Sequence, residues 1–216
     1  MNDDINAKID AVFSKYPKRT YPKGQILVFA DESPEFVFYL VKGKVRKYDV
    51  SYRGEEVIVN IFQPPAFFPM SWAIDNIPNR FFYKTEAETE LHIVPGPDAV
   101  KILQDNPDIM FDLLRRLYSG IEGLLGRVVH LMSGTAKSRL MYELIIECHR
   151  FGNKDEADVY RLQTSESDLA ARTGLTRETV SREMKKLKDN KWVSVETKEV
   201  VVRNLPAIEA ELGVGL

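Results

Sequence analysis

The hydrophobic pattern of the chain changes once, near Pro107, and this change constrains the fold more than any other feature. Before it, short runs rich in β-branched and aromatic residues are broken by turns. After it, apolar residues recur three and four positions apart. The first pattern is typical of strands and the second of helices. The sequence therefore predicts an α+β protein, with strands first and helices second.

The strand-like runs are short and closely spaced. They cover 25–29, 36–41, 45–50, 55–62 and 83–94, and residues 51–54 form a good hairpin connection between two of them. Many short strands at such spacing are typical of a small antiparallel barrel or jelly roll. An N-terminal antiparallel β-roll is the expected fold of this half.

One apolar stripe follows Pro107 along a helix of roughly 25 residues, about 38 Å long at 1.5 Å per residue. Such a helix either packs on its own barrel or pairs with a second copy. We favour pairing because residues 124–131 are apolar on more than one side, so one side is free for a partner. The predicted dimer interface consists of Met110, Leu113, Leu114, Leu117, Ile121, Leu124, Leu125 and Val128.

Small residues interrupt this helix at 133–135, where a hinge or cap is expected. A second helix is predicted from about 136 to 151, and a polar turn at 152–156. The predicted domains are therefore a β-roll effector domain (1–106), a dimerisation helix with its hinge (107–134) and a DNA-binding domain (135–216). The prediction of a DNA-binding domain depends on the segment 165–192.

That segment has the pattern of a helix-turn-helix motif. Ser165 and Asp168 form a helix start close to a capping box, Gly174 ends the short helix, and Thr176 caps the next one. In the second helix the apolar residues fall at i, i+4 and i+7, so long polar side chains occupy the opposite face. A hairpin at 192–203 and a short helix at 206–216 complete a winged helix.

The second helix carries side chains suited to the major groove. Arginine donates two hydrogen bonds to guanine and glutamate accepts from cytosine, so Arg177, Glu178 and Arg182 are the candidate base-reading residues. Residues that contact phosphates fix the register of the protein on DNA. The candidates for this role are Ser165, Thr176, Thr179, Ser181, Lys185 and, at the hairpin tip, Lys198.

Net charge hides this basic segment. The whole chain has a formal charge of −2, which excludes indiscriminate coating of nucleic acid, but residues 172–191 contain seven basic and three acidic residues, a local excess of +4. A double-stranded DNA partner is therefore expected. A surface amphipathic helix is the alternative interpretation of the charge run alone.

The complete order of elements resembles the CRP/FNR family of bacterial transcription regulators. The residues that carry the resemblance are 174–182, GLTRETVSR, which are similar to that family's recognition segment. The resemblance implies a homodimer that reads an inverted repeat of TGTGA-like half-sites through Arg177, Glu178 and Arg182. It also implies RNA polymerase as a partner if the regulator is an activator.

The sensor half departs from the cyclic-nucleotide members of that family. Their phosphate cassette has a glycine and an acidic ribose ligand where this chain has Phe68 and Pro69. Because proline has neither a carboxylate nor a backbone donor, we do not expect cAMP to bind. Aromatic residues either fill this space as core or line a pocket for an apolar effector with an acid group. The candidate pocket consists of Phe62, Phe67, Phe68, Trp72, Arg80, Phe82 and Lys84, with Arg80 or Lys84 holding the acid.

Other cofactors and activities have little support in the sequence. One cysteine, Cys148, cannot ligate an iron–sulfur cluster, and a lone strand histidine, His92, is a poor basis for a haem site. No metal cluster or nucleophile–base pair is evident, so no cofactor and no catalysis are predicted. A cupin-like β-roll enzyme or small-molecule-binding protein and a DNA-binding subunit without any ligand remain the alternatives. With neither a signal peptide nor a bilayer-length apolar run, a cytoplasmic protein is expected.

Overall fold

The computed structural model describes residues 3–155, 158–196 and 199–213. The chain forms two compact units, Met1–Leu117 and Tyr118–Leu216. This division falls inside the long helix, whereas the sequence places boundaries on either side of that helix. The three-part domain bounds therefore remain a prediction.

The N-terminal unit is built around two antiparallel sheets. Its strands are β1 (Lys18–Tyr21), β2 (Ile26–Val28), β3 (Phe36–Lys42), β4 (Val45–Val50), β5 (Glu56–Phe62), β6 (Ala66–Phe68), β7 (Phe82–Thr85) and β8 (Thr89–Pro95). The four-stranded sheets have the orders β1-β8-β3-β6 and β2-β7-β4-β5. The predicted fold class is confirmed, because neighbours in each sheet come from distant parts of the chain, as in a roll. The predicted extended segment 83–94 is two strands, since residues 86–88 form a bend.

Residues from both sheets share the interior of the roll. Phe38 and Leu40 on β3 pack with Val45 on β4 and Tyr83 on β7, and all four are buried. The rings of Phe68 and Tyr83 stack with centroids 5.2 Å apart. Burial of these side chains is the main favourable term that holds the two sheets together.

Three helices of this unit are absent from the sequence prediction: α1 (Asp3–Phe13), α2 (Met70–Asp75) and α3 (Gly96–Asp105). In α1 the apolar residues Ile5, Ile9 and Phe13 recur every four positions and pack with Tyr39 of β3. Phe13 stacks on the Tyr39 ring at 4.7 Å. This spacing indicates a helix, but it extends over only three turns before the strands begin, so the pattern is short.

The long helix α4 (Pro107–Ser133) contributes to both units, and the rest of the C-terminal unit follows it. The elements are α5 (Ala136–Phe151), β9 (Asn153–Lys154), β10 (Tyr160–Leu162), α6 (Glu166–Thr173), α7 (Arg177–Asp189), β11 (Val193–Glu196), β12 (Glu199–Val202) and α8 (Leu205–Leu212). Strand order in the small sheet is β11-β12-β10-β9. The predicted long helix, hinge, second helix, helix-turn-helix and hairpin are all present.

One local prediction is wrong. The segment predicted as a polar turn, 152–156, contains strand β9, which pairs with β10 through Lys154 and Tyr160. Both strands are short, so neither gives a detectable periodicity. The predicted hinge is correct in kind, because α4 ends at Ser133 and the Thr135 side chain caps α5 by accepting from the Ser138 backbone N–H at 3.2 Å.

A buried ionic network joins three helices of the C-terminal unit. Arg127 of α4 donates to both carboxylate oxygens of Glu143 in α5, at 2.8 and 2.9 Å. Arg172 of α6 is ion-paired with Glu147 and lies 3.8 Å from Glu143. The side chain of Arg172 is 2% exposed. Arg172 counts toward the local charge of +4 in residues 172–191, but it lies beside buried glutamates and adds nothing to the exposed positive charge.

The contact between α4 and α5 gives a test of packing at Gly126. A Cβ atom at this position would lie 1.7 Å from the Tyr142 hydroxyl and 2.2 Å from its ring, and Tyr142 is 5% exposed. We expect Gly126→Ala to lower the free energy of unfolding by about 1–3 kcal/mol through overpacking. Gly120, on the same helix with nothing near its absent Cβ, is the control. Gly120→Ala should stabilise by roughly 0.5–1 kcal/mol, and equal urea midpoints for the two variants would contradict this packing.

The ionic network predicts unequal roles for two neighbouring arginines. Arg172→Met removes the ion-pair partner of the buried Glu147 and should cost about 3–5 kcal/mol of stability. Arg177→Met removes an exposed side chain and should change stability by less than about 0.5 kcal/mol. Urea unfolding of both variants measures the difference. Similar small losses in both would show that Arg172 is not held inside the unit.

Candidate nucleic-acid interface

The turn between α6 and α7 is fixed by a capping box and a glycine. The Ser165 hydroxyl accepts from the Asp168 backbone N–H at 3.1 Å, and the Asp168 carboxylate accepts from the Ser165 N–H at 3.2 Å. Gly174 ends α6 with φ at +63°, a left-handed conformation that costs other residues energy. The capping residues predicted from the sequence are therefore those observed.

Helix α7 begins at a second cap. The Thr176 hydroxyl accepts from the Thr179 backbone N–H at 3.2 Å and donates to the Thr179 hydroxyl at 3.1 Å. These bonds satisfy donors that the first turn of a helix leaves free. The cap sets the first turn of α7 in place, and that turn carries two of the candidate base-reading residues.

Packing decides which side of α7 faces solvent. Val180, Met184 and Leu187 are fully buried in the core shared with α5, α6 and the small sheet. The five predicted outward-facing residues are all exposed: Arg177, Glu178, Ser181, Arg182 and Lys185. The structure thus brings the three candidate base-reading residues together on one face with two phosphate candidates.

This face of α7 offers both a guanidinium donor and a carboxylate acceptor for hydrogen bonds. The side chain of Arg182 is 65% exposed and makes a loose ion pair of 3.5 Å with Glu183. A hydrogen bond from its own backbone N–H, followed by one from the Thr176 side chain, lowers the pKa of Glu178. Glu178 is therefore an ionised acceptor near neutral pH, complementary to the arginine donors beside it.

The remaining phosphate candidates differ in their availability. The Ser165 hydroxyl donates to Asp168 at 2.7 Å, so both Ser165 and Thr176 already use their hydroxyls in caps. Lys185 makes no ion pair within the described ranges 3–155, 158–196 and 199–213. Lys198 lies outside the described residues.

Sequence analysis missed a set of ion pairs at the base of the wing. Glu196 and Glu199 flank the hairpin tip, and Arg161 on β10 lies 2.9 and 3.4 Å from their carboxylates. Arg203 also reaches Glu196, at 3.4 Å. These arginines reduce the negative charge that the wing would otherwise present to a polyanion. Their positions follow from strand pairing, which the sequence alone did not reveal.

Most predicted dimer residues are exposed on α4. Leu117 and Leu125 are each 53% exposed, and Leu124 is 46% exposed. Met110, Leu114, Ile121 and Val128 are exposed as well. Leu113 differs, because it packs against the core of the N-terminal unit that includes Ile109. The predicted interface does not include five other large apolar or aromatic side chains that are exposed on this helix, which are Phe111, Tyr118, Val129, Leu131 and Met132.

The residues of the candidate effector pocket lie in different parts of the N-terminal unit. Phe62 and Phe68 pack inside the roll, whereas Phe67 and Trp72 belong to the cluster around Tyr39. Phe82 stacks on Tyr48 at 5.1 Å. Lys84 is ion-paired with Glu56, and Arg80 is exposed. The structure does not bring these seven residues into one group.

The two residues considered for metal cofactors have other surroundings. His92 is buried, and its Nδ1 lies 2.7 Å from the Tyr16 carbonyl oxygen. Cys148 is buried in the core of the C-terminal unit, and burial raises the pKa of its thiol to about 12. Both side chains are therefore buried in the cores of their units.

No helix in the described part of the chain is both long and apolar enough to cross a membrane. Residues 18–106 match the family model of the cyclic nucleotide-binding domain, and residues 138–211 match that of the Crp-like helix-turn-helix domain. Together the two matches span both units of the structure.

Named relatives share this arrangement. A global nitrogen regulator from Nostoc sp. is 28% identical over 189 residues, covering 85% of this chain and 83% of the relative. A cAMP-activated global transcriptional regulator CRP from Pasteurella multocida is 24% identical, covering 84% and 88%. A CooA mutant from Carboxydothermus hydrogenoformans has the same fold, with a TM-score of 0.78 at 20% identity over 94% of this chain and 90% of the other.

The order of domains, the capped helix-turn-helix and these matches lead to one conclusion. The chain belongs to the CRP/FNR family of DNA-binding transcription regulators.

Proposed function

We propose that the protein is a homodimeric, sequence-specific transcription regulator that reads an inverted repeat with TGTGA-like half-sites. The observation that carries the proposal is the orientation of α7. Its apolar side is fully buried, and Arg177, Glu178 and Arg182 are exposed around its first two turns. These turns are the part of a recognition helix that approaches base edges.

Base reading is assigned to these three residues. The arginines donate to guanine O6 and N7, and the Glu178 carboxylate accepts from cytosine N4. Lys185 and Ser181, one turn further along the same face, contact phosphates and fix the register. The caps formed by Ser165, Thr176 and Thr179 hold α6 and α7 in place for binding. The exposed atoms of these three residues lie next to the phosphate backbone of the bound DNA.

Dimerisation is assigned to the exposed apolar side of α4. A monomer would leave leucines at 114, 117, 124 and 125 in water along one helix. Pairing with a second copy removes this surface from water and places two recognition helices about one DNA turn, ~34 Å, apart. A two-fold dimer then requires an operator with inverted half-sites. RNA polymerase is the further partner where binding activates transcription.

The effector is proposed not to be a cyclic nucleotide. Pro69 precedes α2 and offers neither a carboxylate for a ribose nor an N–H for a phosphate. Phe67 and Phe68 are buried in two separate clusters beside it. In the sequence, Phe68 stands where the family's cassette has the glycine whose backbone approaches the phosphate, which supports the proposal.

Arg182→Ala tests the assignment of base reading. Loss of one bidentate contact should cost ~1–3 kcal/mol at a single base pair and relax discrimination there. Lys185→Ala, on the same face, is the matched control. It should weaken binding to all operator sequences equally and lower the slope of log affinity against log salt concentration by about one. Fluorescence anisotropy on single-substitution operators measures both. Uniform weakening by Arg182→Ala would make Arg182 a phosphate contact and contradict the assignment.

Leu117→Asp combined with Leu124→Asp tests the dimer surface. Both side chains are already exposed in the single chain, so the change should leave its folding intact and act only on a partner. Two carboxylates buried at the seam should convert the dimer to a monomer. Sedimentation velocity measures the state, with Ser119→Asp as an exposed control on the same helix. An unchanged dimer in the double variant would place the interface elsewhere.

A further inference from the structure

A small cavity lies inside the C-terminal unit, between α4, α5 and α6. Its volume is about 20 Å³. A single water needs roughly 10–15 Å³, so the cavity holds one group little larger than a water. Its lining includes Arg127 and His130 of α4, Arg139, Tyr142 and Glu143 of α5, and Arg172 of α6. Three arginines around so small a space make its charge balance the first question.

Carboxylates balance two of the three guanidinium groups. Glu143 accepts two hydrogen bonds from Arg127, and Glu147 is the ion-pair partner of Arg172. The side chains of these glutamates are 1% and 4% exposed, so both carboxylates belong to the interior. Two buried negative charges therefore neutralise two of the arginines.

The third guanidinium, that of Arg139, has backbone oxygens as partners instead. Its Nε donates to the carbonyl oxygen of His130 at 3.3 Å, and its Nη2 donates to that of Leu131 at 2.9 Å. Arg139 makes no ion pair within residues 3–155, 158–196 and 199–213. Carbonyls at the C-terminal end of a helix carry only partial negative charge. The next charged neighbours, Glu122 and Arg150, offset each other, so one positive charge remains in excess beside the cavity.

The same cavity is lined by a phenol that lacks an acceptor. Tyr142 is 5% exposed, and its hydroxyl makes no hydrogen bond in the part of the chain that the structure describes. Burial is the main cause that raises the pKa of Tyr142, so the hydroxyl keeps its proton and is a donor. Buried donors ordinarily have a partner. The excess charge of Arg139 and the donor of Tyr142 thus share one need, which is an acceptor with negative charge.

We propose that this cavity binds a small monovalent inorganic anion, of the size of chloride, through the guanidinium of Arg139 and the hydroxyl of Tyr142. The ring of His130 forms the adjoining wall, with its centroid 4.6 Å from that of the Tyr142 ring. The proposal does not depend on DNA binding, since none of these residues is on α7.

Charge and size together select this class of ligand. A water satisfies the Tyr142 donor but leaves the positive charge without a counter-charge in a largely buried place. One monovalent anion offsets one excess positive charge. Phosphate and sulfate have five heavy atoms and a second negative charge, so they exceed both the volume of the cavity and the charge that its lining balances, next to the carboxylate of Glu143.

The neighbouring His130 reports on occupancy of the site. Burial lowers the pKa of His130, so its ring is neutral near neutral pH. Arg127, Arg139 and Arg172 line the cavity with it and disfavour a further positive charge, whereas Glu143 favours one. A bound anion adds a second negative charge near the ring and therefore raises the pKa of His130. By linkage, the anion binds more tightly as the pH falls through that pKa.

Bromide locates the site directly, because it has the charge of chloride and scatters anomalously. Crystals of the full-length chain are grown in sodium bromide, and data are collected at the bromine absorption edge. An anomalous peak is expected inside the cavity, beside the Arg139 guanidinium and the Tyr142 hydroxyl. Crystals with bromide elsewhere on the protein but no peak in this cavity would overturn the proposal. This measurement uses the unmodified chain, so it stands whether or not a variant folds.

Binding in solution is measured from the broadening that the protein causes in the chlorine NMR line of chloride. The variants are Arg139→Gln and Tyr142→Phe. Lys137→Gln is the matched control, because Lys137 is on the same helix but is paired with Glu211 outside the cavity. The component that bromide displaces should vanish in Arg139→Gln, weaken about threefold or more in Tyr142→Phe, and persist in Lys137→Gln. Equal broadening by the parent and Arg139→Gln would mean that chloride binds only to surface cations, and the proposal would fail.

The pKa of His130 gives a readout that a purely structural role of Arg139 would not move. It is measured by NMR at constant ionic strength in chloride and in gluconate, which is too large for the cavity. The pKa should be higher in chloride for the parent and Lys137→Gln, and equal in the two salts for Arg139→Gln. His149, whose ring pairs with Glu209 on the α8 side of α5, is the internal control and should titrate alike in both salts. A His130 pKa in the parent that is the same in both salts would contradict the site.

Discussion

Burial of one side of α7 is the constraint on which the rest of the account depends. Val180, Met184 and Leu187 are fixed in the core of the C-terminal unit, so the helix has a single rotation about its axis. That rotation alone determines that Arg177, Glu178 and Arg182 face outward together. Caps at Ser165 and Thr176 fix where α6 and α7 begin, because their hydroxyls accept hydrogen bonds from backbone N–H groups that would otherwise need water as a partner.

The ionic network beneath the motif links this constraint to the long helix. Glu143 of α5 accepts from Arg127 of α4 and lies near Arg172 of α6, so three helices share one set of buried charges. Buried ion pairs contribute little net stability but are costly to break, which makes such a network specific for one arrangement of helices. In the N-terminal unit, by contrast, Arg46 of β4 pairs with Glu56 and Glu86 in partly exposed positions.

Local signals in the sequence were sufficient where they were long or chemically distinctive. The stripe of α4, the S-x-x-D cap and the glycine at 174 each predict one kind of local structure, a long helix, a helix start and a helix end, and the structure agrees with them. Short elements such as α2 and β9 lack enough residues to show a period. The burial of Arg172 depends on tertiary packing, so no local pattern in the sequence reports it. For the same reason, the sequence could not show that the seven residues of the predicted pocket lie in separate parts of the N-terminal unit.

Selection of binding sites from random DNA tests the central claim most directly. Purified protein is incubated with a random library, and bound sequences are enriched and aligned. The account predicts an inverted repeat of two TGTGA-like half-sites whose centres are about 10–10.5 bp apart. Enrichment of a single half-site or a direct repeat, or no enrichment over the starting library, would contradict it.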